Sequence, residues 1–345
     1  MRFLFILGPY RPGQCGISDY VRLLSDRLES MGHECKMMTI NPKSGQTLEK
    51  TAESLPQCDV VSLQFAPYAF HPKGLPGKGL YTLAKALAGR QLQIMFHEIW
   101  IGAYPQATLR ERWMGRRQRR QILCFLQTAR PFVVHSTNAA ALNRLSLMGV
   151  EAEYLYLFGN IPWAEAPALG METNPTAQIA FFGTPYDAFP YGLLFERLDE
   201  TFTAMKKSWK IRVLGHVREK AGLKKLTQEA SKRGIDVEKT NMLSSEELSH
   251  QLQYADCGVT TTPYDVLGKS GTAAAMLEHG LPIFVYDDGD TPKERMFVFK
   301  PFHDQIFLLN NPKSSEQMLK ATEQLSKPFF NGVAHTAHKF IEAIS

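Results

Sequence analysis

A short loop in the second half of the chain concentrates residue types that bind phosphate groups. The segment Gly268–Thr272 follows a predicted strand, Cys257–Thr261, and begins a helix that runs to about His279. Backbone N–H groups at a helix start, two hydroxyls and one ammonium would face the same anion. A capped helix with an exposed lysine is the alternative interpretation. We predict a phosphate site whose members are Gly268, Lys269, Ser270, Gly271 and Thr272.

Two common nucleotide-binding patterns do not fit the chain. The P-loop pattern G-x-x-x-x-G-K-[ST] needs a glycine at position 263, where Pro263 stands, so an ATPase is disfavoured. The loop after the first predicted strand, Gly8–Gly16, contains no G-x-G-x-x-G, which disfavours a dehydrogenase. Gly16 nevertheless precedes a helix that begins at Ile17, where its backbone could approach an anionic ligand.

Three further loops follow predicted strands and carry candidate residues. His97 and Glu98 follow the strand Leu92–Phe96, and a structural histidine hydrogen-bonded under a loop explains them equally well. In the second half, the two other pairs are Gly183-Thr184 and Gly215-His216. Because ligands in open α/β sheets bind beyond the carboxyl ends of the strands, we predict that all three loops face one cleft.

Alternating short apolar runs and helical periodicity predict the elements that position these loops. In the first half the predicted strands are Arg2–Leu7, Cys35–Ile40, Val60–Phe65, Leu92–Phe96, Phe132–His135 and Tyr154–Phe158. In the second half they are Ile179–Phe182, Ile211–Leu214, Ile235–Lys239, Cys257–Thr261, Ile283–Tyr286 and Gln305–Leu309. Helical stretches separate most of them, among them Asn241–Ala255 with a capping box at Ser244 and Glu247. The pattern predicts two doubly wound α/β domains with parallel sheets.

The division between the domains is predicted at a proline-containing segment, Ile161–Gln178. The N-terminal Rossmann-like domain is then 1–165, and the C-terminal Rossmann-like domain is 175–330. The last helix, 332–345, is a candidate for packing back on the first domain. A length of 345 residues agrees with two hydrophobic cores.

The composition is that of an ordinary globular protein, with 44% hydrophobic and 21% charged residues. Five scattered cysteines without a CxxC pair disfavour a disulfide framework and predict a reducing, cytoplasmic location. No histidine or cysteine spacing is typical of zinc, and we expect no metal. No apolar run approaches the ~18 residues of a membrane span, and the apolar N-terminus is interpreted as a strand rather than a signal peptide.

The segment Arg110–Arg120 is the main local source of the formal charge of +5. A solvated helix face is one interpretation. The other is a surface that contacts phosphate-bearing acceptors, anionic lipid or nucleic acid, which would make the protein peripheral to a membrane. A nucleic-acid partner is not expected, because the net charge is modest and confined to this segment.

Several segments, in order, resemble family 4 glycosyltransferases. They are the glycine-containing opening Gly13–Arg22, the turn Met31–Cys35, His97-Glu98, the stretch from Ser244–Leu248 to Tyr254–Val259, and the helix and exit Thr272–Ile283. The resemblance covers nearly the whole chain. It implies a GT-B fold, a nucleoside-diphosphate sugar donor, no required metal and retention at the anomeric carbon. It also implies that Gly16 and the Lys269–Thr272 loop approach the donor phosphates, and that His97 lies near the transferred sugar or the acceptor.

Two departures from the family pattern leave the donor and the activity open. The family's paired glutamates, eight positions apart, fall at Leu267 and Ala275, and Glu278 on the same helix is not at a matching position. The segment Gly183–Asp187 lacks the basic residue that often follows the first strand of the second domain. The alternatives to a glycosyltransferase are a nucleotide-sugar epimerase, a catalytically silent nucleotide-sugar-binding protein, and an enzyme that acts on nucleic acid or a lipid-linked acceptor through Arg110–Arg120.

The mechanism expected of the glycosyltransferase follows from the charge of its leaving group. A nucleoside diphosphate gains charge as the glycosidic bond breaks, and without a metal this charge needs Lys269, the helix start at Ser270–Thr272 and the Gly16 backbone. The acceptor hydroxyl would enter near His97.

Overall fold

The computed structural model describes residues 1–103, 107–165, 176–215, 217, 220–287, 299–323 and 329–345 of the 345-residue chain. The chain forms two compact units. The first consists of Met1–Tyr156 together with Val333–Ser345, and the second of Leu157–Gly332. Of the predicted interdomain segment Ile161–Gln178, residues 166–175 lie outside the described ranges. None of the helices within the described ranges has the length and apolar character that crossing a bilayer requires.

The first unit contains a sheet of six parallel strands in the order β2-β1-β3-β4-β5-β6. The strands are β1 (Arg2–Leu7), β2 (Glu34–Thr39), β3 (Val60–Phe65), β4 (Leu92–Phe96), β5 (Val133–Ser136) and β6 (Glu153–Tyr154). Every residue of β3 and β4 is buried, as expected for central strands covered on both faces. The strand order reverses beside β1, so a topological switch point lies between β1 and β3.

The helices of the first unit flank this sheet. They are α1 (Gly16–Ser30), α2 (Leu48–Glu53), α3 (Pro67–Phe70), α4 (Lys78–Leu87), α5 (Leu109–Ala129), α6 (Ala139–Ser146) and, at the C-terminus, α12 (Gly332–Ile344). Helix α12 packs on β1, because the ring of Phe340 lies 5.6 Å from that of Phe3 and 6.2 Å from that of Phe5. The Thr336 hydroxyl also donates a hydrogen bond to the Tyr156 carbonyl. The C-terminus of the chain is therefore part of the first unit.

The second unit contains six parallel strands in the order β12-β11-β10-β7-β8-β9. They are β7 (Thr176–Phe182), β8 (Ser208–Leu214), β9 (Val237–Lys239), β10 (Cys257–Val259), β11 (Ile283–Val285) and β12 (Ile306–Leu308). Numbered within the unit, this order is the 3-2-1-4-5-6 order of a Rossmann fold, read from the other edge. Its switch point lies between β7 and β10.

The described helices of the second unit are α7 (Tyr191–Ala204), α8 (Lys220–Lys232), α9 (Ser245–Tyr254), α10 (Gly271–Glu278) and α11 (Ser314–Thr322). The capping box predicted for α9 is confirmed, since the Ser244 hydroxyl accepts from the Glu247 N–H and the Glu247 carboxylate accepts from the Ser244 N–H. The predicted fold class, two Rossmann-like parallel-sheet units, is likewise confirmed.

Several predicted strand boundaries are wrong by two or more residues. Strand β8 begins at Ser208 rather than Ile211, β9 begins at Val237 rather than Ile235, and β10 ends at Val259 rather than Thr261. Strand β7 begins at Thr176 rather than Ile179, because Thr176–Gln178 pair in register with the start of β8 despite their polar composition. Strand β6 ends at Tyr154 rather than continuing to Phe158. Its partner there is Ser136, the last residue of β5, so the ladder has no further strand to pair with.

Candidate functional site

The switch point of the second unit joins two loops through one hydrogen bond. The Thr261 hydroxyl, just beyond β10, donates to the Thr184 carbonyl, just beyond β7, at 2.6 Å. Gly183 lies between β7 and Thr184 with a φ of 114°, a region that only glycine enters readily. The predicted pair Gly183-Thr184 is therefore held beside the loop that leads to α10.

The loop after β10 ends in a capped helix. Residues Tyr264–Lys269 form a 3₁₀ turn, and Ser270 is the N-cap residue of α10. The Ser270 hydroxyl accepts from the Ala273 N–H at 3.2 Å and lies 3.2 Å from the Thr272 hydroxyl. Gly271 and Thr272 contribute two of the first N–H groups of the helix, which have no acceptor within it. The capped-helix interpretation holds for Ser270, and two helix-start amides still face outward from the first turn.

Gly183 lies directly against that first turn. A Cβ atom built on Gly183 would lie 3.1 Å from the Thr272 hydroxyl oxygen. The structure thus brings Gly183 and Thr184 together with Ser270 and Thr272, although the loops are far apart in sequence. Gly268 and Lys269 end the 3₁₀ turn immediately before the cap, and the Lys269 side chain is exposed.

The other predicted strand-end pair of this unit, Gly215-His216, is placed differently. Gly215 follows β8, and its N–H donates to the Thr240 hydroxyl at 3.2 Å, so this amide is already satisfied. Strand β8 lies on the side of β7 opposite to β10. Gly215, at the end of β8, is therefore ~4.8 Å, one strand spacing, farther from α10 than Gly183 is. His216 lies outside the described residues.

Asn160 is a candidate that the sequence did not suggest. Its side-chain oxygen is buried and has no hydrogen-bond partner within the described ranges. A Cβ atom on Gly271 would lie 3.7 Å from this oxygen. A buried polar atom without a partner is rare, and this one lies at the first residue of α10. Only the pair Gly159-Asn160, directly after the predicted strand Tyr154–Phe158, could have indicated it.

The two positions that correspond to the paired glutamates of family 4 glycosyltransferases are part of the hydrophobic core in this chain. Leu267 and Ala275 are both buried. A Cβ atom on Gly159 would come within 2.5 Å of the Ala275 Cα, so the backbone packs closely at this point. Glu278 is buried on the same helix, and its carboxylate accepts from the Gly159 N–H at 2.9 Å. Glu278 therefore fastens a neighbouring segment to α10.

His97 in the first unit is buried and hydrogen-bonded. It follows β4 and is 8% exposed, with its Nε2 atom 2.8 Å from the Oε1 atom of Gln64. The ring of Tyr20 meets it edge to face at 5.1 Å. Burial lowers the pKa of His97 to about 3, because the imidazolium would lose its hydration. His97 is thus a neutral imidazole at physiological pH, suited to hydrogen bonding rather than to proton donation.

The loop between β1 and α1 folds back on the first turn of its helix. The Gly13 N–H donates to the Asp19 carboxylate at 2.7 Å, and the Arg11 N–H donates to the Ser18 hydroxyl at 2.9 Å. Gly16 is the first residue of α1, and a Cβ atom placed on it would have no other atom within 4 Å. The space beside Gly16 at this helix start is open to a ligand.

Helix α5 carries the basic segment on an exposed face. Its single acidic residue, Glu111, is held in a capping box with Thr108. Leu109 and Trp113 are 85% and 52% exposed, and the Arg117 guanidinium lies 4.8 Å from the Trp113 ring centre. The six arginines of the segment are all exposed, namely Arg110, Arg112, Arg116, Arg117, Arg119 and Arg120. Arg110, Arg116, Arg117, Arg119 and Arg120 form no ion pair with a described residue.

The described side chains include no group of three or more histidine, cysteine, aspartate or glutamate residues placed to bind one ion.

No protein-family model matches the sequence, and no curated protein matches it. Solved structures do match its fold over nearly its full length. A structure of HepE from Anabaena in complex with UDP and glucose has a TM-score of 0.55 at 15% identity, covering 100% of this chain and 99% of that one. UDP-GlcNAc 2-epimerase from Methanocaldococcus jannaschii has a TM-score of 0.53 at 13% identity, with 100% of both chains covered.

A glycosyltransferase involved in avilamycin A biosynthesis gives a TM-score of 0.55 at 12% identity, covering 100% of this chain and 97% of that one. At such identities the likeness shows the fold alone. The chain has the GT-B fold, with two Rossmann-like α/β units, a fold found in both glycosyltransferases and UDP-GlcNAc 2-epimerases.

Proposed function

We propose that the chain is a glycosyltransferase that binds a nucleoside-diphosphate sugar at the β7/β10 switch point. The observation that carries this proposal is the contact of Gly183 with Thr272 at the start of α10. A glycine that brings backbone against a helix start is the arrangement by which Rossmann-like units bind a diphosphate. The HepE structures that share the fold contain UDP, UDP and glucose, or UDP-glucose, which makes a uridine nucleotide the first ligand to test.

In the proposed reaction the bond between the anomeric carbon and the diphosphate oxygen breaks, and the acceptor hydroxyl oxygen forms the new bond to that carbon. The hydroxyl proton is released, and the nucleoside diphosphate leaves with an added negative charge. The Lys269 ammonium and the Gly271 and Thr272 amides stabilise that charge, so no metal is required. His97 binds the acceptor or the transferred sugar as a neutral hydrogen-bonding group. Retention at the anomeric carbon is expected from the family resemblance.

Lys269→Ala tests the donor site, with Lys224→Ala as a matched control. Both lysines are exposed, and Lys224 lies on α8, whose Gly222 packs against Pro185 rather than against the first turn of α10. Loss of one charge-assisted hydrogen bond should weaken UDP binding by roughly tenfold or more. Isothermal titration with UDP, GDP, ADP, CDP and dTDP measures this change and identifies the base. Equal affinities in Lys269→Ala and the control would remove Lys269 from the site.

Epimerisation is the second candidate, because the UDP-GlcNAc 2-epimerase from Methanocaldococcus jannaschii shares the fold over 100% of this chain. Leu267 and Ala275 are buried and apolar, whereas family 4 glycosyltransferases have glutamates at the corresponding positions. This difference weighs against a donor site of the same composition in this chain. Incubation with UDP-GlcNAc and UDP-glucose, with no acceptor present, separates the candidates. An epimerised sugar nucleotide indicates the epimerase, slow release of UDP supports the transferase, and nucleotide binding without either product indicates a catalytically silent protein.

The acceptor side of the proposal includes the exposed face of α5. Its segment Arg110–Arg120 carries six arginines and one glutamate, so its net charge of +5 equals that of the whole chain. Exposed Leu109 and Trp113 on the same face fit the interface of a lipid bilayer better than a nucleic-acid backbone. We propose that this face contacts an anionic membrane surface, where each arginine contributes about 1 kcal/mol.

Vesicle flotation tests this surface. Arg116→Gln/Arg120→Gln should weaken binding to vesicles containing phosphatidylglycerol by roughly tenfold or more, whereas Lys224→Ala/Lys225→Ala removes the same charge elsewhere and should have little effect. Vesicles of phosphatidylcholine alone should not bind. Equal loss in both double variants, or preference for duplex DNA over the anionic vesicles, would contradict a bilayer contact.

A further inference from the structure

A continuous chain of hydrogen-bonded side chains runs through the first sheet. Ser62 and Gln64 lie on β3, Gln93 on β4 and His135 on β5, and His97 follows β4. The register pairs Ser62 with Gln93, and alternation along the strands places all five side chains on one face. All five are buried. We call this set the polar relay.

Four short contacts join its members. His97 Nε2 lies 2.8 Å from Gln64 Oε1, and Gln64 Nε2 donates to the Ser62 hydroxyl at 2.7 Å. The Ser62 hydroxyl donates to Gln93 Oε1 at 2.6 Å, and Gln93 Nε2 lies 3.0 Å from His135 Nδ1. Each carboxamide offers one end that donates and one that accepts, and the hydroxyl has a single proton. In the observed orientations the Gln64 amide donates to Ser62 and Ser62 donates to Gln93, so the four bonds run in the same direction, from His97 toward His135.

The direction follows from the carboxamides and agrees with the far end of the relay. Gln93 Nε2 is a donor, so His135 Nδ1 accepts and the ring proton of His135 is on Nε2. That nitrogen lies 4.0 Å from the carboxylate of Glu153, which can only accept and which favours a proton facing it. At the near end Gln64 Oε1 is an acceptor, so His97 Nε2 must donate. Reversing one bond alone would place two donors or two acceptors face to face.

We propose that the polar relay fixes His97 as the Nε2–H tautomer and so presents its bare Nδ1 atom as a hydrogen-bond acceptor for a substrate hydroxyl. Nδ1 makes no hydrogen bond with any described residue. The relay members Gln64, Ser62, Gln93 and His135 are positioning residues, and Glu153 sets the direction from the exposed edge strand. Only the role of Nδ1 toward a hydroxyl rests on the proposed function, while the tautomer itself does not.

Because the relay is buried, the direction of its hydrogen bonds determines whether His97 Nδ1 accepts a hydrogen bond from a ligand or donates one to it. Burial lowers the pKa of His97 and that of His135, to about 3 and about 4, so both rings are neutral and each carries one ring proton. The two tautomers are thereby coupled through four hydrogen bonds. In the reverse direction His97 would carry its proton on Nδ1 and would donate to a ligand instead of accepting from it.

The test is the nitrogen NMR spectrum of the full chain labelled with ¹⁵N-histidine, recorded without ligand near pH 7.5. Long-range proton–nitrogen correlations distinguish protonated from bare ring nitrogens, and His97→Gln and His135→Gln assign the two signals. The relay predicts the Nε2–H tautomer for both histidines. An Nδ1–H tautomer at His97 would overturn it.

Two variants test whether the relay is the cause. Ser62→Ala removes the central link and should mix the His97 tautomers, raising the Nδ1–H fraction by roughly tenfold or more. Ser136→Ala is the control, because Ser136, on β5, is equally buried but donates to the Phe96 carbonyl outside the relay. A His97 signal that stays wholly Nε2–H in Ser62→Ala would show that the relay does not hold the tautomer.

Glu153→Lys provides a variant that leaves the buried links intact, since Glu153 is exposed. An ammonium donates where the carboxylate accepted, so it should reverse the relay and raise the Nδ1–H fraction of His97. Glu151→Lys makes the same charge change at another exposed position two residues away. Equal His97 spectra in these two variants would contradict the role of Glu153. Because no nucleotide is present, failure of the relay and failure to bind UDP are observed separately.

Discussion

Acidification should destabilise the first unit through its two buried histidines. His97 and His135 have folded-state pKa values lowered by burial to about 3 and about 4, against an ordinary value of 6.5. A histidine with a lowered folded-state pKa binds its proton more weakly in the folded protein than in the unfolded chain. Its contribution to stability is therefore complete above pH 6.5 and is lost as the pH falls from there toward the folded-state pKa.

The size of the effect follows from these values. Between pH 7 and pH 5 each histidine lowers the free energy of unfolding by about 2 kcal/mol, and the pair by about 4 kcal/mol. This loss is a large part of a typical domain stability of about 5–15 kcal/mol. Partial burial also lowers the pKa of His33 and of His335 in the same unit, which adds a smaller effect of the same sign.

The assay is urea unfolding at pH 7, 6 and 5, followed by tryptophan fluorescence. Trp163→Phe/Trp209→Phe confines the signal to the two tryptophans of the first unit, Trp100 and Trp113. His135→Gln in this background should remove about half of the pH-dependent loss, or ~2 kcal/mol. His338→Gln, which removes an exposed histidine of the same unit, is the control. A wild-type loss below about 1 kcal/mol, or an equal loss in all three proteins, would refute the reasoning.

Three further predictions concern the second unit, each measured by Trp209 fluorescence in urea or by UDP titration. Gly183→Val forces a side chain into a left-handed backbone position and against Thr272, so UDP affinity should fall; unchanged affinity would exclude that contact from the site. Ser244→Ala should lower the free energy of unfolding by about 1 kcal/mol through loss of the α9 cap, while Ser245→Ala, which makes no cap, should not. Glu278→Ala should cost about 1–3 kcal/mol by leaving a buried N–H group without an acceptor, whereas Glu278→Gln keeps one; equal costs would contradict this role.

Features that depend on neighbouring residues could be predicted from the sequence. The capping box of α9 needs only Ser244 and Glu247, three positions apart, and both predicted hydrogen bonds are present. The parallel sheets followed from the alternation of apolar runs and helices. The placement of Gly183-Thr184 at a strand end followed from the same alternation, because loops and strand ends are local in sequence.

Features that depend on register between distant strands could not be predicted. The Thr261 hydroxyl meets the Thr184 carbonyl across 77 positions of sequence, and no local pattern encodes that pairing. The contact between Ser62 and Gln93 likewise depends on the parallel register of two strands joined by a long crossover. Polar residues in otherwise apolar strands were the available signal, but their partners could not be named.

The residues at the start of α10 show the same limit: their types suggested phosphate ligands, but their separate roles could not be predicted. Ser270 and Thr272 were both candidate phosphate ligands by type and position. The structure uses the Ser270 hydroxyl as the helix cap and leaves Thr272 against Gly183, a distinction that depends on backbone dihedral angles. Asn160 was not predicted, because its proximity to Gly271 depends on how the start of the second unit packs on α10.

We propose that a nucleoside diphosphate binds where β7 and β10 diverge. Amide hydrogen exchange measured by mass spectrometry, with and without saturating UDP, would locate this binding. We expect slower exchange in peptides that contain Gly183-Thr184 and Gly271-Thr272, and no change in peptides from α7 on the same sheet. Unchanged exchange at both loops with UDP demonstrably bound would contradict the claim, as would an absence of UDP and other nucleoside-diphosphate binding.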